Sequence, residues 1–354
     1  MTGCAISAMK PSSAQGGFQR KRKKFRKILF VAPSFQSFIE KDYKILKKNF
    51  MVKCVGYSYD HKSSLLLLVP RIIEGVLWAD LTYSWFGSFH AFLTVLFSKI
   101  LHKRSIVVAG GYDVAKMPEI NYGLMNMRLW RIFPMFSFKY CDRILAVSEY
   151  ARREINENMD VDDEKILVVH HGFDKKKFFP RGEKDNVVLT VGQVNFQTLE
   201  KKGMINFART AKFLTDTTFY LVGRGEKESI QRLRRVNQHN LLYKGFVPQK
   251  ELAMIMQRAK VYVQISAHES FSCSLAEAML CECIPVVTSC GAIPEVVGNT
   301  GYYVPYGNIE ATAKTIRRAL KDGEAKGEKA RKRIEKEFPI EKREKKLIEI
   351  VMRL

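Results

Sequence analysis

The chain has 354 residues, of which 46% are hydrophobic and 27% charged, a globular composition with length enough for two domains. Lys and Arg number 59 against 36 Asp and Glu, so the formal net charge is +23 and an anionic partner is expected: nucleic acid, an acidic lipid surface or a phosphorylated small molecule. The seven cysteines, an odd number scattered along the chain, argue against a disulfide framework and favour a reducing compartment.

The N-terminal residues 1–26 lack the apolar core of a signal peptide and end in a basic cluster, which predicts a disordered tail. Two later segments, 64–81 and 91–101, are rich in apolar residues. Pro70 and Glu74 interrupt the first, and the second is shorter than the about 20 apolar residues that a bilayer span requires. We therefore expect neither to cross a membrane and predict a cytoplasmic protein.

From Lys27 onward, apolar runs alternate with helical segments, a pattern typical of parallel strands buried on both faces and joined by helices. The alternation restarts with NVVLTVG after a charged segment that contains Pro and Gly. The sequence predicts two doubly wound, Rossmann-like α/β domains that face each other across a cleft. Their predicted ranges are 27–178 for the first domain, which holds the acceptor, and 179–335 for the second, followed by a C-terminal helix at 336–354 that packs back on the first.

The stretch SAHESFSCSLAEAML, at 266–280, places two glutamates around a turn between a predicted strand and a predicted helix. Ligands of open parallel sheets bind beyond the carboxyl ends of the strands, and a helix N-terminus with small residues can bind an anion. Glu269 and Glu277 can accept hydrogen bonds from vicinal hydroxyls of a sugar or ribose. The alternative is structural, because a Glu early in a helix is favoured by the helix dipole whatever the function.

The same stretch, continued through PVV at 285–287 and GAIPE at 291–295, resembles the signature of retaining GT-B glycosyltransferases. The resemblance is to the large family that includes sucrose-phosphate synthases and many cell-envelope glycosyltransferases. Four further pieces occur in the family's order, namely VGQ at 191–193, KKG at 201–203, LVGRGE at 221–226 and YKGFVP at 243–248. HHGFD, at 170–174, resembles the family's interdomain element. The resemblance thus covers the second half of the chain.

The resemblance implies that the second domain binds a nucleoside-diphosphate sugar. In that case Glu277 binds the ribose hydroxyls and Glu269 contacts the transferred sugar. Lys202 neutralises the diphosphate, and the backbone amides of Phe271, Ser272, Cys273 and Ser274 contact the sugar or the diphosphate. A lysine charge and helix-start amides stabilise negative charge on a departing diphosphate, so no bound metal is expected to be required.

Two positions depart from the family's pattern. Gln193 stands where the family usually has Arg, so Arg224 or Lys201 is a candidate replacement for that cation. Asp113 stands in the loop where the first domain often carries a catalytic-site His. Its carboxylate is a candidate acceptor for a hydroxyl of the substrate, or else it caps the following turn. His90 is a further candidate that also fits packing at a helix start.

Other motifs are weaker. DVDDE, at 160–164, precedes a strand and is typical of a solvated turn rather than a metal site, and Cys281 and Cys283 lack a second ligand pair at zinc spacing. GRGEKES, at 223–229, lacks the ending of a P-loop. An epimerase or a phosphorylase of the same fold would need a carboxylate and His constellation or a cofactor lysine, and neither is recognisable.

The charge leaves two further hypotheses. A basic nucleic-acid-binding protein is the rival from another class, but no recognised binding module is found. The basic tail and the aromatic residues Trp78, Trp85 and Trp130, which we expect to be exposed, predict a peripheral membrane contact at the inner face. The overall prediction is transfer of a sugar from a nucleoside-diphosphate donor, with retention of configuration, to a glycan or lipid-linked acceptor.

Overall fold

The computed structural model describes residues 26–33, 37–56, 67–237 and 239–354. Almost all of the predicted N-terminal tail, residues 1–25, therefore lies outside the described residues, as does the start of the apolar segment 64–81. The described chain forms two six-stranded sheets, and the adjacent strands in each sheet are parallel.

The first sheet has the strand order β2-β1-β3-β4-β5-β6. Its strands are β1 Lys27–Ala32, β2 Met51–Gly56, β3 Leu81–Trp85, β4 Arg104–Ala109, β5 Arg143–Ala146 and β6 Ile166–Val168. Its helices are α1 Ser37–Asn49, α2 Leu68–Trp78, α3 Phe89–Ile100, α4 Ile132–Tyr140 and α5 Glu149–Asn158. Helices cover the central strands, so β1, β3 and β4 are almost wholly buried, as their apolar runs predict.

The second sheet has the order β12-β11-β10-β7-β8-β9. Its strands are β7 Asp185–Val191, β8 Thr218–Val222, β9 Leu241–Gly245, β10 Ala259–Gln264, β11 Ile284–Val287 and β12 Tyr302–Tyr303. Its helices are α6 Phe196–Lys201, α7 Met204–Ala211, α8 Lys227–Val236, α9 Gln249–Arg258, α10 Cys273–Leu280, α11 Ile293–Val297 and α12 Ile309–Lys321. The predicted class of two Rossmann-like α/β domains is confirmed.

The chain ends with two helices, α13 Ala325–Glu337 and α14 Ile340–Arg353. Pro339 separates them, because proline has no backbone N–H and cannot continue a helix through its interior. α13 packs on α10 of the second domain, whereas α14 packs on α1 of the first. At the crossing, Phe173 and Pro339 form a parallel bridge, with Phe173 N–H donating to Phe338 C=O at 2.9 Å and Ile340 N–H donating to Phe173 C=O at 3.1 Å.

A buried ion pair fixes α14 on the first domain. Arg343 is 3% exposed and donates to both carboxylate oxygens of Asp42, at 2.6 and 2.7 Å. Asp42, fully buried in α1, also accepts hydrogen bonds from Tyr83 Oη at 2.7 Å and Trp85 Nε1 at 3.1 Å. Arg343 donates twice more, to the backbone carbonyls of residues 169 and 170. Both charges are thus compensated inside the protein, as burial requires.

Trp85 differs from the sequence prediction, which treated it as exposed. Its side chain is fully buried within β3, because both faces of a central parallel strand are covered. Trp78 is half-buried, with the ammonium groups of Lys27 and Lys53 at 5.7 and 4.9 Å from its ring centroid. Trp130 is 51% exposed, so it is the tryptophan that remains available at the surface.

Candidate active site

The two domains enclose a cleft of about 370 Å³ at the carboxyl ends of their central strands. In the second domain, β7 and β10 are neighbours although they are not consecutive, and the loops that follow them both line the cleft. This is the position where the strand order reverses, where open α/β sheets bind ligands. The predicted site residues that line the cleft are Gln193, Lys202, Glu269, Phe271, Ser272, Cys273, Ser274 and Glu277.

Glu269 is buried at the end of the β10 loop, and three donors converge on its Oε1 atom. Lys202 Nζ lies 2.7 Å away, Gln264 Nε2 2.9 Å and Ser266 Oγ 3.0 Å. Burial opposes ionisation, but the charges of Lys202 and Lys201 outweigh it and lower the pKa of Glu269 to about 2. The side chain is therefore a carboxylate at neutral pH and is held rigidly.

Gly291 supports the backbone of this glutamate. It has φ +62°, in the left-handed region, and a Cβ placed on it would lie 2.3 Å from the carbonyl oxygen of Glu269. Ala292 N–H donates to the same carbonyl at 2.7 Å. The glycine of GAIPE, at 291–295, is therefore required by close approach to Glu269, which is a physical reason for its place in the motif.

Glu277 lies in α10 and is buried against the cleft wall. Its Oε1 atom is 3.6 Å from Lys41 Nζ, and the same atom has no hydrogen-bond partner. Burial raises the pKa of Glu277, while the charge of Lys41 opposes the shift. A buried carboxylate oxygen without a hydrogen bond is costly, so Glu277 is prepared to accept one from a ligand hydroxyl.

Lys41 reaches this glutamate from α1 of the first domain, and sequence reasoning missed it. Its ammonium group donates to Gly172 C=O at 3.3 Å and lies 4.5 Å from the ring centroid of Phe173. The sequence carried no signal for this contact, because the two partners are far apart in the chain and on different domains. Lys41 thus connects the first domain directly to Glu277 in the second-domain wall of the cleft.

The turn before α10 is organised by side-chain hydrogen bonds. Ser272 has φ +75° and donates from Oγ to Gln264 Oε1 at 3.1 Å, while Tyr262 Oη donates to Ser274 Oγ at 2.9 Å. The first backbone N–H groups of any helix have no intrahelical partner, and in α10 no side chain caps them. Burial raises the pKa of the Cys273 thiol to about 12, which keeps it neutral. The helix start therefore presents amide dipoles rather than charged side chains.

Phe271 has a different environment from its neighbours in the turn. It is 3% exposed, and its ring packs against His171 at 5.1 Å, Phe338 at 5.2 Å and Phe173 at 6.0 Å between centroids. These partners belong to the connections between the domains. The aromatic cluster therefore joins the turn before α10 to the segments that link the two domains. Burial lowers the pKa of His171 well below its usual value.

The two candidate replacements for the family's arginine differ in their position relative to the cleft. Gln193 lines the cleft and is exposed, whereas Arg224 lies outside the lining with its guanidinium 5.3 Å from the ring centroid of Phe246. Lys201 lines the cleft, with its ammonium group 3.9 Å from the ring centroid of Tyr122. Burial lowers the pKa of Lys201, against the attraction of Glu269. Of the two proposed replacements, Lys201 is therefore the one located at the site.

Asp113 does not line the cleft. Its carboxylate is 1% exposed and accepts backbone N–H groups of Gly87 at 2.8 Å, Gly110 at 3.1 Å and Gly111 at 2.8 Å. Burial raises its pKa to about 6, although these amide hydrogen bonds oppose the shift. Asp113 therefore corresponds to the capping alternative and ties the loops after β3 and β4 together. His90 is also buried, with Nε2 2.6 Å from Trp85 C=O, and burial lowers its pKa to about 4.

A second contact between the domains was also not predicted. His268, fully buried beside Glu269, has Nε2 at 2.8 Å from Glu154 Oε1 of α5. The ring of Tyr122 lies 5.3 Å from the imidazole between centroids. His268 and Lys41 therefore attach the first domain to both sides of the turn before α10.

The acidic and cysteine motifs do not gather into metal centres in the described part of the chain, where no three His, Cys, Asp or Glu residues could hold an ion together. Asp163 of the DVDDE segment accepts hydrogen bonds from Arg152 and Asn156. Cys281 and Cys283 are buried at the end of α10. None of the helices in the described ranges combines the length and the apolar character needed to cross a bilayer.

Comparison with known proteins agrees with this architecture. Residues 185–322 match the family model described as Glycosyl transferases group 1, and residues 79–177 match that of Glycosyltransferase Family 4. A structure of Anabaena HepE with UDP and glucose has a TM-score of 0.75 at 17% identity and covers 93% of this chain and 100% of its own. Sucrose-phosphate synthase of Thermosynechococcus elongatus gives 0.75 at 15% identity, covering 93% and 98%. At these identities the likeness shows the fold, which is GT-B.

Similar sequences include glycosyltransferases of several kinds. The O-antigen chain mannosyltransferase RfbU of Salmonella typhimurium is 25% identical over 180 residues, which are 49% of this chain and 50% of its own. The N,N'-diacetylbacillosaminyl-diphospho-undecaprenol alpha-1,3-N-acetylgalactosaminyltransferase of Campylobacter jejuni is 27% identical over 206 residues, 52% and 53%. The chain spans about half the length of these curated relatives. A glycosyltransferase family model thus matches within each half of a GT-B fold, group 1 in the second half and Family 4 in the first.

Proposed function

We propose that the protein is a glycosyltransferase that moves a sugar from a nucleoside-diphosphate donor to a glycan or lipid-linked acceptor. One observation carries the proposal: the cleft holds Glu277, a buried carboxylate with an oxygen that lacks a hydrogen bond, together with the Lys202–Glu269 pair. A hydroxyl-binding carboxylate and an ammonium group within one cleft suit a ligand that has both vicinal hydroxyls and phosphates. The names of the relatives and of the UDP complexes support this assignment.

In this proposal the donor lies along the start of α10. Glu277 accepts hydrogen bonds from the ribose, and the diphosphate lies against Lys202 and the helix-start amides. Glu269 accepts a hydrogen bond from a hydroxyl of the transferred sugar. Lys202 already touches the carboxylate at 2.7 Å, so the diphosphate shares this cation with Glu269 rather than capturing an isolated charge.

The chemistry we propose is retention of configuration without a metal ion. Negative charge grows on the leaving diphosphate as the glycosidic bond breaks, and Lys202, Lys201 and the α10 amides stabilise it. The acceptor hydroxyl attacks from the face that the diphosphate leaves and transfers its proton to the departing phosphate. Closure of the domains excludes water that would otherwise hydrolyse the donor.

Thermal stability in the presence of nucleotide sugars tests donor use. We expect one member of a panel of UDP-, GDP-, ADP- and TDP-sugars to raise the melting temperature, since a ligand at 100 times its Kd stabilises the native state by about 2.7 kcal/mol. Glu277→Gln should weaken binding by about 10- to 100-fold, because a hydrogen bond to a charged group contributes about 1.5–3 kcal/mol.

Two further measurements test the chemistry. Sugar transfer should continue in EDTA, because the proposed mechanism uses no metal ion. Proton NMR of the product should show the anomeric configuration of the donor.

The matched control is Glu310→Gln, which removes an exposed glutamate from the first turn of α12. Glu310 has the same favourable relation to a helix dipole as the structural alternative assigns to Glu277. Equal donor binding by both variants would show that Glu277 does not bind the donor and that the structural alternative is correct. Stabilisation by nucleic-acid oligomers alone, falling steeply with salt, would replace the proposal with polyanion binding.

We also propose a cytoplasmic protein that contacts the inner face of a membrane through its first domain. Trp130 at 51%, Leu129 at 77% and Ile132 at 55% exposure form an apolar surface beside the exposed Arg128 and Arg131. Anionic lipids attract each cation near the surface by about 1 kcal/mol, an attraction that salt screens. We expect sedimentation with anionic vesicles at low salt and loss of binding in Arg128→Glu/Arg131→Glu; absence of wild-type sedimentation at low salt would remove this part of the proposal.

A further inference from the structure

A second cavity, of about 380 Å³, opens in the first domain next to the cleft. Its walls are almost entirely apolar, and most of their surface comes from the side chains of Phe86, Phe89, Leu124, Met127, Trp130 and Phe133. The aromatic rings brace one another, with centroids of Phe89 and Phe133 5.1 Å apart and those of Trp130 and Phe133 5.8 Å apart. The volume lies in the range of small-molecule sites, about 300–1,000 Å³. The one carboxylate in the lining, Asp113, is 1% exposed and accepts hydrogen bonds from backbone amides of Gly87, Gly110 and Gly111.

The cavity and the cleft share a thin wall. Gly110 lines the cleft, and a Cβ placed on it would lie 2.1 Å from the ring of Phe86, which lines the cavity. Phe86 has φ +66°, a left-handed conformation that is strained for a bulky residue and that points to a functional constraint. Asp113 holds this wall in place, because its carboxylate accepts amides from Gly87 and Gly110 on both sides.

The mouth of the cavity is amphipathic. Met127 and Trp130 line the cavity and are 42% and 51% exposed, so the cavity opens to the surface beside them. Arg128 and Arg131 stand next to these residues in the chain and are exposed. An occupant with an apolar chain and an anionic group would match both features, whereas a purely polar glycan would leave the apolar walls without partners.

We propose that this cavity binds the aliphatic or isoprenoid chain of a lipid-phosphate acceptor. The chain enters past Met127 and Trp130, and the phosphate meets the arginines at the mouth. The sugar attached to that phosphate extends outside the mouth toward the neighbouring cleft. The inference rests on the proposed function, since it names the acceptor of that same transfer. It assigns the apolar walls to substrate binding rather than to packing.

The test uses farnesyl diphosphate below its micelle concentration as the probe, with tryptophan emission as the readout. We expect saturable binding and a spectral change that is lost in Trp130→Phe, because Trp78 and Trp85 do not line the cavity. Met127→Glu should weaken binding by at least about tenfold, since it places a carboxylate in the apolar lining. The matched control Leu129→Glu has the same charge change at a residue outside the lining and should keep the affinity within about threefold.

Met127→Leu should retain binding, and equal melting temperatures of the variants show that each is folded. Equal affinity for inorganic diphosphate and for the farnesyl probe would overturn the proposal, as would equal weakening by Met127→Glu and Leu129→Glu. Donor binding is read separately, from stabilisation by a nucleotide sugar. Loss of that stabilisation alone would refute the proposed transfer while leaving the lipid site intact, so the two failures are distinguishable.

Discussion

Lys202→Ala is expected to lower the turnover of sugar transfer by about 10²- to 10³-fold, the cost of removing one preorganised group that stabilises developing negative charge. Lys202 is the donor closest to Glu269 Oε1, at 2.7 Å, and it lines the cleft. The loss should appear in kcat rather than in KM, because the charge on the leaving diphosphate is larger in the transition state than in the bound donor. Initial rates over a range of donor concentrations measure the difference.

The control is Lys212→Ala, which removes an exposed lysine at the end of α7. A second comparison separates stabilisation of the leaving group from positioning of Glu269. Lys202→Ala, Glu269→Gln and the double variant form a mutant cycle. If Lys202 acts only by holding Glu269, the double variant will be no slower than Glu269→Gln alone. A Lys202→Ala enzyme with turnover within about threefold of the wild type would contradict the assignment.

Arg343→Met is expected to lower the free energy of unfolding by about 3–5 kcal/mol, the cost of leaving one partner of a buried ion pair uncompensated. Asp42 would keep the hydrogen bonds from Tyr83 and Trp85 but lose both bonds from the guanidinium. Urea denaturation followed by circular dichroism measures the change. The double variant Arg343→Met/Asp42→Asn should recover part of the loss, because it removes the orphaned charge and keeps an oxygen acceptor for Tyr83 and Trp85.

Arg353→Met is the matched control, since it makes the same change at an exposed position on α14. Its ion pair with Glu349 is at the surface, so we expect a change below about 0.5 kcal/mol. Similar losses for the two arginine variants would show that the Asp42 pair does not hold the C-terminal helix in place. An unfolding transition that splits into two steps in Arg343→Met would show that α14 detaches before the domains unfold.

The sequence was most informative where function and fold depend on short stretches of chain. Apolar runs in continuous series predicted parallel strands, and the turn that contains Glu269 followed directly from the strand before it. The prediction that Trp85 is exposed was wrong, because an aromatic residue in a strand does not indicate which faces of the sheet are covered by helices. The place of Asp113 also depended on amides from two loops, which only the folded backbone brings together.

Contacts between distant segments could not be predicted. Lys41 meets Glu277, His268 meets Glu154, and Arg343 meets Asp42 across 301 positions of the chain. Each of these pairs joins elements whose relative position is set by the packing of both domains. Neither local propensity nor motif spacing can therefore predict these contacts. The lipid cavity belongs to the same class, because its walls come from loops and helices that are separate in sequence.

The bridge between Phe173 and Pro339 has a consequence for how the molecule moves. The chain passes between the domains twice, once after β6 and once between α13 and α14, and the two passages are hydrogen-bonded side by side. Two adjacent connections act as a hinge with one axis, about which the domains can swing but not slide or twist freely. Phe271 packs on Phe173 and Phe338 at that axis. The turn before α10, which contains Phe271, therefore lies close to the pivot, where a rotation of the domains displaces it least.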